Sequence, residues 1–239
     1  MTRIGASLII KGQRAVQSYG WTLLRPFGKI QTILSFLDEY ECDEIAIMRY
    51  SRSDDNMNNF LGDIDALAGC IVNSPVSFGG GIRSIVELDQ LRRIPVERII
   101  FSSAGICNET NLLNQACQTW GKQAMQCLLP IKLTDDGIKV FISKENNLVD
   151  LETINFEMID SLFNEVIIYD IDADGLADKF NFSILDKMPL APQKLVITGG
   201  VGLETIKTAK SLGLASVLVD NCVLHAQGSI RRYKKNANL

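Results

Sequence analysis

Phe78-Gly79-Gly80-Gly81-Ile82 and Thr198-Gly199-Gly200-Val201-Gly202 stand half a chain apart, each after an apolar run and before an amphipathic one. Within each half, Gly81 lies as far before Ser102, in Ser102-Ser103-Ala104, as Gly200 lies before Asn221, in Asn221-Cys222-Val223. Asp43-Glu44-Ile45-Ala46-Ile47 likewise resembles Asn164-Glu165-Val166-Ile167-Ile168. A chain that repeats itself at half its length reads as a duplicated unit. Two such halves predict two similar sites facing each other across one end of the molecule.

Outward from these repeats, short runs rich in Ile and Val alternate with longer amphipathic stretches. Strands are predicted at Ala6–Ile10, Glu44–Met48, Val76–Phe78, Arg98–Phe101, Gln126–Ile131, Glu165–Tyr169, Lys194–Ile197 and Ser216–Val219. Several are apolar on consecutive residues, the pattern of parallel strands covered on both faces. Helices are predicted at Gln31–Tyr40, Ile85–Arg92, Glu109–Trp120, Phe156–Phe163 and Leu203–Leu212. Eight strands with eight connections predict a closed (β/α)8 barrel built from two half-barrels, in one domain over 1–239. Asp135-Asp136-Gly137, between Leu133 and Val140, reads as a hairpin turn inserted after the fifth strand.

Composition narrows the function. Of 239 residues, 46% are hydrophobic, enough for a large core, and the net charge of −4 offers no basic face to nucleic acid. The basic run Arg231-Arg232-Tyr233-Lys234-Lys235 reads as a solvated tail. Six cysteines lie far apart without a CxxC, which predicts buried thiols in a reducing compartment. A single histidine, His225, argues against a His-built metal site or a catalytic triad, and no metal or cofactor is expected. No run reaches the roughly 18 apolar residues of a membrane helix, and no cleavage pattern marks the N-terminus. The expectation is a cytoplasmic protein with neither membrane nor nucleic-acid partners.

Glycines between a strand and a helix let backbone N–H groups approach an anion, and barrels commonly hold phosphate after strands seven and eight. Gly199 and Gly200 follow the seventh predicted strand, and Asn221 and Cys222 the eighth. Gly80, Gly81, Ser102 and Ser103 form the matching set after strands three and four. Either glycine pair alone is what a tight turn uses. Both together, at matched spacing, point to an elongated ligand with two phosphates. Asp170, Asp172 and Asp174 alternate at the end of the sixth strand and are expected to share a face, making Asp172 and Asp174 candidates for proton transfer. Lys132 is a further candidate, as a clamp or amine nucleophile, or as an ion-pair partner of Asp172.

With these motifs in place, the chain resembles the cyclase subunit of imidazole glycerol phosphate synthase, a barrel family of histidine biosynthesis, over almost its whole length. The segment Ile171-Asp172-Ala173-Asp174-Gly175 carries the likeness most closely. The resemblance implies one phosphate near Gly81 and Ser103 and another near Gly175, Gly200, Asn221 and Cys222. It also implies a glutaminase partner whose ammonia enters the barrel bottom past four charged residues, here Arg3, Glu44, Arg98 and Glu165, with Glu97 at the docking face. Four positions depart from the family. Its two catalytic aspartates fall on Ile9 and on Lys132 (or Leu133), neither of which can replace a carboxylate, while Gln17 and Arg49 replace a lysine and an acid. Divergent relatives in gene sets for surface polysaccharides and flagellin glycans share the apolar run at Leu8-Ile9-Ile10. The resemblance therefore implies a synthase subunit that binds a phosphorylated sugar precursor and receives ammonia for its amination or amidation. Three other readings stay open: a histidine-pathway cyclase using Asp174 with Asp135 or Asp136, a non-catalytic scaffold that activates a glutaminase, and a barrel with unrelated phosphate-ester chemistry and no ammonia.

Overall fold

The computed structural model describes residues 2–221 and 229–237. Eight parallel strands run through it: β1 (Arg3–Lys11), β4 (Ile45–Arg49), β5 (Val76–Gly79), β6 (Arg98–Phe101), β7 (Met125–Thr134), β10 (Glu165–Asp170), β11 (Leu195–Thr198) and β12 (Ser216–Val219). Each pairs with the next, and β10 pairs with both β7 and β11, closing the sheet into a barrel. The alternation of strand and helix gives a (β/α)8 fold, as the periodicity predicts. Predicted strand ends move by at most one residue, with two exceptions. Strand β1 starts three residues earlier, where Arg3, Ile4 and Gly5 pair with β12, and β7 runs three residues further into an antiparallel hairpin with its successor.

Two layers of apolar side chains explain why the strands read as unbroken hydrophobic runs. Ile9, Ala46, Met48, Ile100, Leu128, Ile167, Val196 and Leu218 belong to one buried cluster inside the barrel. The opposite strand faces, with residues such as Ile10, Ile47, Phe78, Phe101 and Ile197, pack beneath the helices. Period-two alternation sends each strand to both layers.

The predicted helices form as α1 (Ile30–Glu39), α3 (Ile85–Gln90), α5 (Thr110–Trp120), α6 (Phe156–Leu162) and α7 (Leu203–Ser211). A further helix, α2 (Met57–Leu67), escapes the sequence reading because its Asn, Asp and Gly content masks the period; Phe60, Ile64 and Leu67 nevertheless form its buried face. Its first turn is capped by Asn56, whose side chain accepts from the Asn59 N–H. Between β10 and β11 the described connection holds only 3-10 turns.

Three expectations need correction. The basic run near the end is helix α8 (Ser229–Ala237), anchored by Arg231 on the Glu39 carbonyl and by Lys234 on Asp43. Cys70, Cys107 and Cys117 are only partly buried; Cys42 and Cys127 lie in the core. A second hairpin, β2 (Arg14–Tyr19) and β3 (Leu23–Lys29), follows β1 and was not foreseen. The Asp135-Asp136 turn is present and joins β7 to β8 (Gly137–Ile142), which pairs in turn with β9 (Asn147–Asp150). Among the described residues no helix is long and apolar enough to cross a membrane.

Candidate functional site

At the N-terminal ends of the strands, four charged side chains close into a ring. Arg3 pairs with Glu44 at 3.1 Å and Glu165 at 2.6 Å; Arg98 pairs with Glu44 at 2.5 Å and stands 3.8 Å from Glu165. Gln126 donates to Glu165 Oε2 at 2.8 Å, while its own Oε1 is buried with no partner among the described residues. Burial opposes the Arg3 charge, but Glu44 and Glu165 raise its pKa above the ordinary value. Glu44 lies against Gly5, where any side chain would collide with the Glu44 backbone and side chain. Glu97 is exposed beside this ring, one residue before Arg98.

At the opposite, C-terminal mouth, a cavity opens over the first half-barrel. Gly80, Gly81, Ser102 and Ser103 all line it, so the structure brings together the four residues of the first predicted phosphate set. Gly80 (φ 101°) and Gly81 (φ 82°) are left-handed and pack on Arg49. Arg49 is fully committed: Nε holds Asp63 at 2.7 Å and the outer nitrogens hold Asp55 at 2.7 and 2.9 Å.

The remaining cations of this pocket were missed by the sequence reading. Arg83 donates to the carbonyls of Asp55 and Arg52 and to Ser51, and makes no carboxylate pair among the described residues. Arg52 lies over the Tyr50 ring at 3.8 Å, with Trp21 and Phe141 flanking it. Lys144 pairs with Glu109. The available signal was position: Arg52 and Arg83 each follow the C-terminal end of a barrel strand, where ligands of such barrels bind. Two buried polar atoms lining the cavity, Ser102 Oγ and Trp21 Nε1, have no partner among the described residues.

The second half-barrel is organised differently. Gly175 (φ 85°), Gly199 (φ 83°) and Gly200 (φ 79°) adopt the expected left-handed turns. The Gly200 N–H, however, donates to the Asp220 carboxylate at 2.9 Å. Asn221 is buried and clasps the β2–β3 hairpin: its Oδ1 accepts from the Ser18 N–H at 3.2 Å, its Nδ2 donates to the Ser18 carbonyl, and Gln17 donates to its backbone oxygen at 3.2 Å. A side chain at Gly175 would strike the Tyr19 ring. Cys222 and His225 lie outside the described residues.

The three aspartates do not share a face. Strand β10 ends at Asp170, and a turn follows. Asp170 is buried and accepts from the Ala173 and Asn181 N–H groups. Asp172 is exposed and accepts from the Leu133 N–H at 2.9 Å, and no ion pair joins it to Lys132. Asp174 is buried and accepts from Ser18 Oγ at 2.7 Å, Tyr169 Oη at 2.8 Å and the Trp21 N–H at 3.2 Å. Burial pushes the Asp174 carboxyl up to about 6, against those hydrogen bonds. Lys132 is exposed near the rim, beside Lys139 of β8, and Asp135 and Asp136 are exposed in the turn. Ile9, at the position of the family's first aspartate, is 8% exposed in the apolar interior. Among the described residues no three His, Cys, Asp or Glu side chains gather as metal ligands would.

A family model described as "Histidine biosynthesis protein" matches residues 4–228. Among curated proteins, the imidazole glycerol phosphate synthase subunit HisF of Chlorobium limicola is 25% identical over 238 residues, covering 98% of this chain and 94% of its own. The proteins of the same name from Exiguobacterium sibiricum and Dictyoglomus turgidum are 23% and 21% identical, over 91% and 94% of this chain and 88% and 90% of theirs.

Proposed function

The chain belongs to the histidine biosynthesis protein family, and from that premise we propose that it is a cyclase-like synthase subunit that binds a phosphorylated sugar precursor and receives ammonia from a glutaminase partner. The ring of Arg3, Glu44, Arg98 and Glu165 carries this reading. It closes the strand N-termini at one end of the barrel while the cationic pocket opens at the other, and an apolar interior suited to a neutral small molecule lies between. Glu97 is the docking contact at the ring's edge. Gly80, Gly81, Ser102 and Ser103, with Arg52 and Arg83, hold the phosphate, and Ser102 Oγ is a donor without a partner until it arrives.

Chemistry at the mouth differs from that of a histidine-pathway cyclase. Ile9 has no proton to exchange, and Lys132 is a cation where the family has an acid. Asp174, with its carboxyl near 6, is the group best tuned for proton transfer, and Lys132 and Asp172 stand at the rim as its alternatives. We assign the chain to amination or amidation of a sugar precursor for surface glycans.

The test is co-expression with class I glutaminases of the same genome, measuring glutamine hydrolysis with and without this chain. Sugar phosphates and the histidine-pathway bisphosphate are the added ligands, and Glu44→Ala and Glu165→Ala are the ring controls. Stimulation that requires a sugar phosphate and is lost in the ring variants is the expected result. Stimulation by the histidine intermediate alone returns the chain to histidine biosynthesis, and no stimulation by any glutaminase removes the ammonia reading.

A further inference from the structure

The two half-barrel glycine turns share a backbone, yet what fills them differs. After β6 the strand ends on Phe101, an apolar core residue, and the next residue, Ser102, presents an unpartnered hydroxyl to a cavity lined by Arg52, Arg83 and Lys144. At the equivalent point after β12 stands Asp220, 4% exposed. Its Oδ2 takes the Gly200 N–H, and its Oδ1 is buried with no hydrogen-bond partner among the described residues. Among the described residues, the small space beside it is lined by Ser7, Ile9, Val16, Phe27, Tyr169 and Asn221, none of them basic.

We infer that the Asp220 carboxyl group occupies the second phosphate cradle, so that the mouth selects a ligand with one phosphate, bound in the first half-barrel, over a bisphosphate. The inference rests on the proposed phosphate-binding function and narrows its substrate class; it also corrects the expectation of two equivalent sites. A glycine turn that presents N–H groups to an anion serves a carboxylate as well as a phosphate. Here the carboxylate is covalently attached and cannot leave. Burial raises its pKa above the ordinary carboxylate value, and the Gly200 and Gly175 N–H groups only partly oppose that rise. A phosphate entering this cradle loses the Gly200 donor and meets the Asp220 oxygens, with no cation among the described residues to offset its charge. The β2–β3 hairpin bars the approach as well, through Ser18 on Asn221 and Tyr19 over Gly175.

Inorganic phosphate, ribose 5-phosphate and ribulose 1,5-bisphosphate are the probes, titrated calorimetrically into the full chain, with Asp220→Ala and Asp220→Asn as variants. The wild type is expected to bind one phosphate per chain and to hold the two sugar phosphates within about threefold of each other. Asp220→Ala gains a second phosphate and at least about tenfold in bisphosphate affinity. Asp220→Asn, nearly isosteric, gives a smaller gain in the same direction and stands in if the alanine variant fails to fold. Two phosphates bound to the wild type, a tenfold wild-type preference for the bisphosphate, or folded variants unchanged from wild type overturn the inference and leave the proposed function standing. No phosphate bound to the wild type overturns both.

Discussion

Asp174 shows how far one residue's environment departs from its sequence position. Its carboxyl sits near 6 because burial outweighs three donors. Between about pH 4 and 6 the folded chain therefore keeps a proton that the unfolded chain has released. Stability must fall as pH rises through that window, by up to about 3 kcal/mol for a shift of about two units. Asp174→Asn is expected to remove this component while Asp170 and Asp220, also raised by burial, keep theirs. Urea unfolding at pH 4.5 and 7 measures the difference, and a variant retaining the full wild-type slope rules Asp174 out as its source. The Asp170, Asp172, Asp174 alternation was visible in the sequence, but its reading as one face assumed that the strand continued. Once β10 ends at Asp170, a period of two carries no directional information, and the three carboxylates part.

The barrel strands, buried on both faces, were legible, and so were most of the amphipathic helices, whereas α2 and the β2–β3 hairpin were not. The barrel strands, their order and the Asp135-Asp136 hairpin follow from apolar runs and turn chemistry. The β2–β3 hairpin hides because its apolar residues are sparse. Its entry turn, Gly12-Gln13, has both residues at positive φ, and its tip places Trp21 at φ 55°, a conformation bulky residues avoid. What holds Trp21 there is tertiary: its N–H donates to Asp174, and its ring meets Tyr169 edge-on at 4.9 Å. No local pattern encodes such a latch. Ser18→Ala removes the hydroxyl donor to Asp174 and is expected to loosen the hairpin by about 1–2 kcal/mol. Amide exchange measured by mass spectrometry should rise roughly tenfold across the hairpin and stay unchanged in β4 and β5. Uniform loosening of the whole barrel would instead make Ser18 part of its global stability.

Over the whole molecule, duplication supplies the scaffold and divergence supplies the function. The half-chain repeat is plain in the glycine turns and in the paired Glu44 and Glu165, because backbone geometry and ring closure constrain both halves alike. The asymmetry of the mouth rests on side chains such as Arg83 and Asp220, whose meaning depends on neighbours distant in sequence. Ring and mouth lie at opposite ends of an apolar interior and share no side chain, so perturbations at one should add to those at the other. Glu165→Gln weakens the Arg3 pair and the Gln126 contact. Because Arg3 is in part solvated, the cost is expected near 2 kcal/mol, below the roughly 3–5 kcal/mol of a fully buried pair. For a chain of this size that lowers Tm by about 5 °C. Inorganic phosphate affinity at the mouth should nevertheless stay within about twofold of wild type, since no contact of Glu165 reaches the pocket. A parallel loss of phosphate affinity would mean that the ring sets the shape of the whole barrel, and ring variants would then no longer isolate ammonia entry from substrate binding.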